Sequence, residues 1–208
     1  GAHLAVDTRI DADRAVTEVT VYATDHPGLF SRIAGAMAAT GADVVDARIF
    51  TLSNGMALDT FLIQDEGGKA FDRPDRIAKL ASAIERALGG TLRVDRALAA
   101  RKPTLGRRTR ALRVPPRVLI DNKASVTHTV VEVNGRDEPG VLWRMTRALA
   151  GVGVQIHSAS ISTYGERFVD VFYLKDVFGL KIDSKSKLED VRKALMKALG
   201  AEEERKAA

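Results

Sequence analysis

The chain has 208 residues, 45% of them hydrophobic and 28% charged, with a formal net charge of +5; this is the composition of a soluble globular protein with one or two modest cores. It contains no cysteine, which excludes a disulfide framework and thiolate metal sites and points to a reducing, cytoplasmic setting. No apolar run approaches the roughly 18 residues of a membrane span, and no signal peptide is visible. The first methionine is Met37, inside a predicted helix, so the chain is expected to be a piece of a longer protein.

In chain order, a short apolar piece at 4–7 and an alternating run at 16–22 read as strands. Asp25-His26-Pro27-Gly28 then leads into helix-spaced Leu29, Phe30, Ile33 and Met37, a helix over 29–40 closed by Gly41. Strands follow at 43–52 and 56–64, with Ser53-Asn54-Gly55 between them as a hairpin turn. A helix over 74–88 starts at a proline and ends at Gly89. Next come Arg101, Lys102, Arg107, Arg108, Arg110, Arg113 and Arg117 without one acidic residue, interrupted by Pro103, Gly106, Pro115 and Pro116. This stretch, residues 101–116, reads as an interdomain connection. A basic run without interleaved aromatics is first a solvated linker, and second a patch for an acidic partner or nucleic acid.

Then the pattern returns. Asp137-Glu138-Pro139-Gly140 stands 112 residues after the first loop and opens a helix with Val141, Leu142, Met145 and Leu149 on one face. Asp170-x-Phe172 answers Asp59-x-Phe61, and Leu188, Val191, Leu195 and Leu199 answer Ile77, Leu80, Ile84 and Leu88. A tight turn is placed near Gly165, and Gly200 closes the last helix. A repeat held through every element means two domains of one fold, residues 1–100 and 117–208. With 4–7 and 118–121 each supplying one more strand, the fold class is α+β. It comprises two ferredoxin-like (βαββαβ) domains, antiparallel sheets with helices on one face.

The repeated loop carries the candidate chemistry. Proline suits a first helical turn, and glycine permits a sharp turn or close approach of a ligand. A helix N-terminus with free N–H groups suits a carboxylate, and Asp25 or Asp137 suits an ammonium. Together they outline a receptor for a zwitterion such as a free amino acid. The competing reading is that each aspartate caps its helix, and duplication copies caps as readily as sites.

The strand–helix order with Asp-x-Pro-Gly-Leu/Val at its first junction resembles the ACT domain, a small regulatory module that binds amino acids. Longer stretches are similar to the C-terminal tandem ACT region of the bacterial bifunctional PII uridylyltransferase/uridylyl-removing enzymes. They are Val16-Thr17-Glu18-Val19, residues 25–35, Asp46-Ala47-Arg48-Ile49 and 55–61 in the first copy. In the second they are Val118-Leu119-Ile120-Asp121-Asn122, 133–137, Ile156-His157-Ser158-Ala159 and 164–172. The resemblance implies a region that senses L-glutamine and switches its parent enzyme between adding and removing UMP on the PII protein. ACT–ACT pairing is expected within the chain or in a homodimer, with no membrane and no nucleic acid as partner.

Carried over residue by residue, the resemblance puts the ligand between each loop and the start of the following strand. In the first copy these residues are Asp25, His26, Pro27, Gly28 and Leu29 with Asp43 and Val44. In the second they are Asp137, Glu138, Pro139, Gly140 and Val141 with Gln155 and Ile156. The family often has asparagine at the start of that strand. Gln155 keeps amide chemistry there, whereas ionised Asp43 can only accept. The second site, pairing Asp137 with Gln155, is therefore expected to bind more tightly.

Catalysis is not expected in this chain. A nucleotidyltransferase needs Gly-Ser followed by paired aspartates for magnesium, and no such array is present. His3, His26, His128 and His157 are each followed by a residue other than aspartate, so the histidine–aspartate metal motif is missing too. No metal and no cofactor are expected here, magnesium and UTP belonging to the parent's catalytic region. Mid-strand Asp59 and Asp170 read as exposed or cross-strand-paired carboxylates, and His128 and His157 as packed or solvated. Two other readings stay open. ACT domains of another amino-acid-metabolism enzyme would share the loop. An RNA-binding ferredoxin-like module would use Arg167-Phe168-Val169-Asp170-Val171-Phe172, although aromatics are only 5% of the chain and the first copy lacks a stacking platform.

Overall fold

The structure, a computed structural model, describes residues 4–100 and 114–200. The first unit runs β1 (Ala5–Asp11), β2 (Val16–Thr24), α1 (Leu29–Thr40), β3 (Asp43–Arg48), β4 (Met56–Gln64), α2 (Pro74–Leu88) and α3 (Val94–Ala100). The second runs β5 (Arg117–Asp121), β6 (Thr129–Arg136), α4 (Val141–Gly151), β7 (Val154–Ser160), β8 (Thr163–Tyr164), β9 (Arg167–Asp176) and α5 (Lys185–Ala198). The sheets are ordered β1-β2-β4-β3 and β5-β6-β9-β7, with β8 paired to β9. All neighbours are antiparallel. Each unit is thus ferredoxin-like, with the leading strand filling the edge that a final strand fills in βαββαβ order.

Strand alternation explains the cores. Val19, Val21 and Ala23 of β2 and Ala57, Phe61 and Ile63 of β4 are buried, as period two requires of one sheet face. Ile33 and Met37 of α1 and Leu80 and Ile84 of α2 cover them. In the second unit Val131, Val133, Phe172 and Leu174 lie under Met145, Leu149, Val191 and Leu195. The expected strand over 43–52 ends at Arg48, after a register shift between Val44 and Asp46. Sequence reading also missed α3, a seven-residue helix with no buried residue. The basic linker falls largely outside the described residues; Arg117 lies in β5.

One pair of arginines does the same work in both units. Arg32 Nη1 donates to the Leu88 carbonyl at 2.9 Å, and Arg144 Nε to the Ala198 carbonyl at 3.1 Å. Each cation thereby meets the negative C-terminal end of its unit's long second helix, and ties that end to the first helix.

The units lie side by side, α1 against α4 and edge strand β3 alongside edge strand β7, while the two sheets keep separate ladders. Their buried residues form one continuous cluster. Gly35 makes the close approach possible. A Cβ there would stand 2.8 Å from Val94 Cγ2 and 2.9 Å from Trp143 Cδ1. The pyrrole edge of the indole therefore comes up against the α1 backbone at a position with no side chain to displace it. Gly35→Val should destabilise the protein by about 2–3 kcal/mol through overpacking. Urea unfolding followed by Trp143 emission measures this directly, Trp143 being the only tryptophan.

Candidate functional site

Both Asp-x-Pro-Gly loops enter their helices through a left-handed glycine, Gly28 at φ 84° and Gly140 at φ 79°. An L side chain is strained in that region, so the loop sequence fixes the sharp entry. No side chain caps either helix. The capping reading of Asp25 and Asp137 is therefore overturned. Asp25 Oδ2 instead accepts from Thr51 Oγ1 at 2.7 Å, and the Asp25 amide donates to the Gly55 carbonyl at 3.1 Å. The Asp137 amide donates to the Glu166 carbonyl at 2.9 Å. The partial positive charge of neither N-terminus is met by a capping hydrogen bond from its own aspartate.

All fourteen candidate residues line one of two cavities, but the pairing is crossed. One cavity, of about 200 Å³, joins Asp137, Glu138, Pro139, Gly140 and Val141 of the second unit to Asp43 and Val44 of the first. The other, of about 210 Å³, joins Asp25, His26, Pro27, Gly28 and Leu29 to Gln155 and Ile156. Gln155 thus faces the Asp25 loop, and the expected pairing of Asp137 with Gln155 is corrected. The cause is the packing of α1 on α4, which lays each unit's loop over the start of the other's edge strand. Electrostatics agree: burial, then the Asp137 charge, pushes Asp43 up to about 6. Likewise the Asp25 carboxylate acts on His157 of the opposite unit. Each cavity is far larger than the ~10–15 Å³ that one water needs.

The structure adds a feature that sequence reading misassigned. Asp59 and Asp170 are neither exposed nor cross-strand-paired with a charge. Each is 1% exposed and lies opposite a valine, Val21 or Val133. Asp59 lines the Asp25 cavity and Asp170 the Asp137 cavity. Neither oxygen of Asp59 completes a hydrogen bond, although the Phe50 amide is close enough to favour its charge. Asp170 Oδ1 accepts from the Ser162 amide at 3.3 Å. Burial pushes each up to about 7, helped by Asp25 at Asp59 and by Asp137 and Asp43 at Asp170. The signal in the sequence was the parity of Ala57-x-Asp59-x-Phe61-x-Ile63, which puts the acid on the core face.

The cavities are not equivalent. Asp43, Glu66, Asp137, Glu138 and Asp170 crowd the first, with Trp143 as one wall, whereas the second has Asp25 and Asp59 with His26, His157 and Ser31. Glu138 is held by Arg144 at 3.2 Å. His157 stacks on His128 at 4.9 Å, whose buried Nε2 has no partner, so the packed reading suits His128.

With this geometry in place, known proteins give a consistent picture. Residues 124–202, in the second unit, match the family model described as the ACR family N-terminal ACT domain, and the fold is α+β, two ferredoxin-like units. The chain is 60% identical over 197 residues to the bifunctional uridylyltransferase/uridylyl-removing enzyme of Azospirillum brasilense, covering 94% of this chain and 21% of that protein. It is 54% identical over 199 residues to the enzyme of the same name from Rhodospirillum rubrum, covering 96% and 21%. The chain thus spans about a fifth of the length of these curated relatives. The crystal structure of aspartate kinase from Synechocystis overlays with a TM-score of 0.49 at 15% identity, over 89% of this chain and 27% of that one.

Carboxyls whose folded pKa is raised bind protons more tightly in the native state. Their stabilisation is complete below the unfolded value of 3.8 and is lost as pH rises through about 7 for Asp59 and Asp170. Each should contribute a fall of at most ~1.4 kcal/mol per pH unit across that window. Urea unfolding of the protein and of Asp59→Asn at pH 4.5, 5.5, 6.5 and 7.5 (roughly one unit apart) should show a shallower decline in the variant.

Proposed function

We propose that this chain is the amino-acid-sensing regulatory region of a bifunctional uridylyltransferase/uridylyl-removing enzyme. Its ligand is L-glutamine, and ligand occupancy controls uridylylation and deuridylylation of the PII signal protein. The relatives' names support the parent, and the match of residues 124–202 to an ACT model supports a regulatory role. One observation supports the sensing mechanism above others: each cavity draws its walls from both units. A ligand there makes contacts that exist only when the units hold one relative position. It therefore binds that arrangement selectively, which is what a regulatory ligand must do.

The parts fit an α-amino acid with a polar side chain. The uncapped starts of α1 and α4, entered through Gly28 and Gly140, receive the carboxylate. Asp25 and Asp137 at the rims favour the approach of the amine. In the Asp25 cavity, Gln155 can donate to and accept from glutamine's side-chain amide. That cavity also holds fewer carboxylates to repel the ligand's own. It is the tighter of the two, the reverse of the order expected when Gln155 was paired with Asp137. The catalytic groups lie elsewhere in the parent enzyme, with magnesium and UTP.

Calorimetry with L-glutamine tests this. Asp25→Ala should weaken the tighter event about twofold to threefold, as loss of an exposed charge that only favours the amine's approach does, and Gln155→Leu about threefold to tenfold, as a lost neutral hydrogen bond does. The Asp25/Gln155 double variant should be non-additive, because the two share one ligand, whereas Asp137/Gln155 should be additive. In the intact enzyme Asp25→Ala should blunt the glutamine response and leave uridylylation itself intact. Heat from another amino acid and none from glutamine would reject glutamine as the ligand.

A further inference from the structure

Neither cavity is lined by a lysine or an arginine among the described residues. Each nevertheless contains a carboxyl group on a central strand, out of contact with bulk water. Burying a carboxyl with no partner is unfavourable, and large unless something compensates it. The sheet gives no compensation: across the ladder Asp59 meets Val21 and Asp170 meets Val133. Packing does not require an acid either, since the residues two positions away on the same face are Ala57, Phe61, Phe168 and Phe172. Both units keep it, 111 residues apart. Asp59 is the sharper case, with two buried oxygens that complete no hydrogen bond.

In the cavity that holds Gln155, the rim aspartate is the poorer amine receptor. Asp25 is exposed and already accepts from Thr51, so water screens its attraction for an ammonium. Asp59, in the same cavity, is buried from water and completes no hydrogen bond, with the Phe50 amide nearby.

We propose that Asp59 and Asp170, rather than Asp25 and Asp137, are the direct receptors for the ligand's α-ammonium group, and that amine binding there expels a proton. This rests on the reading of the cavities as amino-acid sites and extends it. In the empty cavity the carboxyl is neutral over part of the physiological pH range. When an amino acid enters, Asp–COOH gives its proton to solvent and the carboxylate pairs with R–NH3+. No bond to carbon changes and charge balances. The charged groups that reach Asp59 are Asp25 on its own unit's loop and His26 and His157 beside the cavity. Those around Asp170 are Asp43, Glu66, Asp137 and Glu138. All the latter are acids, which disfavours a second charge there until a cation arrives. A carboxyl that must ionise to bind makes affinity rise with pH. With a free-state value of about 7 for Asp59, binding should tighten roughly tenfold from pH 6 to pH 8.

The test uses the full chain, L-glutamine, and glutaramate, which is glutamine without its α-amine. Calorimetry in buffers of different ionisation enthalpy counts protons released. The protein should prefer glutamine over glutaramate by about tenfold or more and release protons at pH 6.5. Asp59→Asn should bind both ligands alike in the Asp25 cavity, with no proton release and no pH dependence there. Asp170→Asn should do the same in the other cavity. Circular dichroism and urea unfolding check that the isosteric amides fold. If another amino acid binds and glutamine does not, only the identity of the ligand is wrong, and the comparison is repeated with that amino acid and its deaminated form. Discrimination and proton release unchanged in both variants, or no response to any of the twenty amino acids, would overturn the assignment.

Discussion

Where α1 meets α4, a glycine on one helix faces a tryptophan on the other, and the distance between the helices follows from that match. Gly35 has no Cβ, and Trp143 fills the space with Val94 of α3 beside it. The separation of the two units, the approach of β3 to β7 and the crossing of each loop onto the opposite edge strand all depend on it. A larger residue at position 35 would separate surfaces that together line both cavities. The contact is also asymmetric. The repeat equivalents of Gly35 and Trp143 are Arg147 and Ser31, so duplication was followed by divergence where the copies touch. Arg147 now lies 5.2 Å from the Trp143 ring and pairs with Asp95 at 3.5 Å, which fastens α3 into the same contact.

The electrostatic character of the cavities runs against that of the chain. The sequence carries a net charge of +5, yet the cavities collect carboxyls and are lined by no lysine or arginine among the described residues. In a low-dielectric pocket each such group resists ionisation, and neighbouring acids add to the resistance. An ion pair relieves Glu138, through Arg144 at 3.2 Å, as Arg73 relieves Asp75 elsewhere. Leaving acids uncompensated lowers the stability of the protein and, on the proposed reading, reserves favourable interactions for a cationic group. Function at the expense of stability is a common bargain in binding sites.

Much of this was legible in the sequence. The repeat, the helix spacing of Leu29, Phe30, Ile33 and Met37, and the proline and glycines at element ends place α1, β4 and α2 at their observed limits. These are local signals, and local geometry obeys them. The loops were legible as candidate ligand binders for the same reason. What remained hidden is relational. Nothing in either copy says that its loop will meet the other copy's strand, because that depends on how two finished surfaces pack. The parity of Asp59 on β4 was readable, but a mid-strand acid is usually a solvent-facing one, and that expectation hid it. Helix α3 went unseen because seven residues with only Val94 and Leu98 at helical spacing carry too little periodicity.

The arginine that anchors each second helix has a further consequence. Arg32 stands one turn inside α1, just after the Gly28 entrance to one cavity, and grips the last carbonyls of α2 at Leu88. From there the chain passes through Gly89 into α3, whose Leu98 lies against Gly140, the entrance to the other cavity; a Cβ on that glycine would be 2.7 Å from Leu98 Cδ1. The two entrances are thus the ends of one continuous run of covalent and packed contacts. A displacement at Gly28 has a material route to Gly140 that does not cross the α1–α4 seam. Free-energy coupling carried along such a route is symmetric: whatever the first ligand does to the affinity of the second, the second does to the first by the same factor. If both cavities take ligands as proposed, any coupling between them along this route enters one binding polynomial in which neither occupancy is privileged.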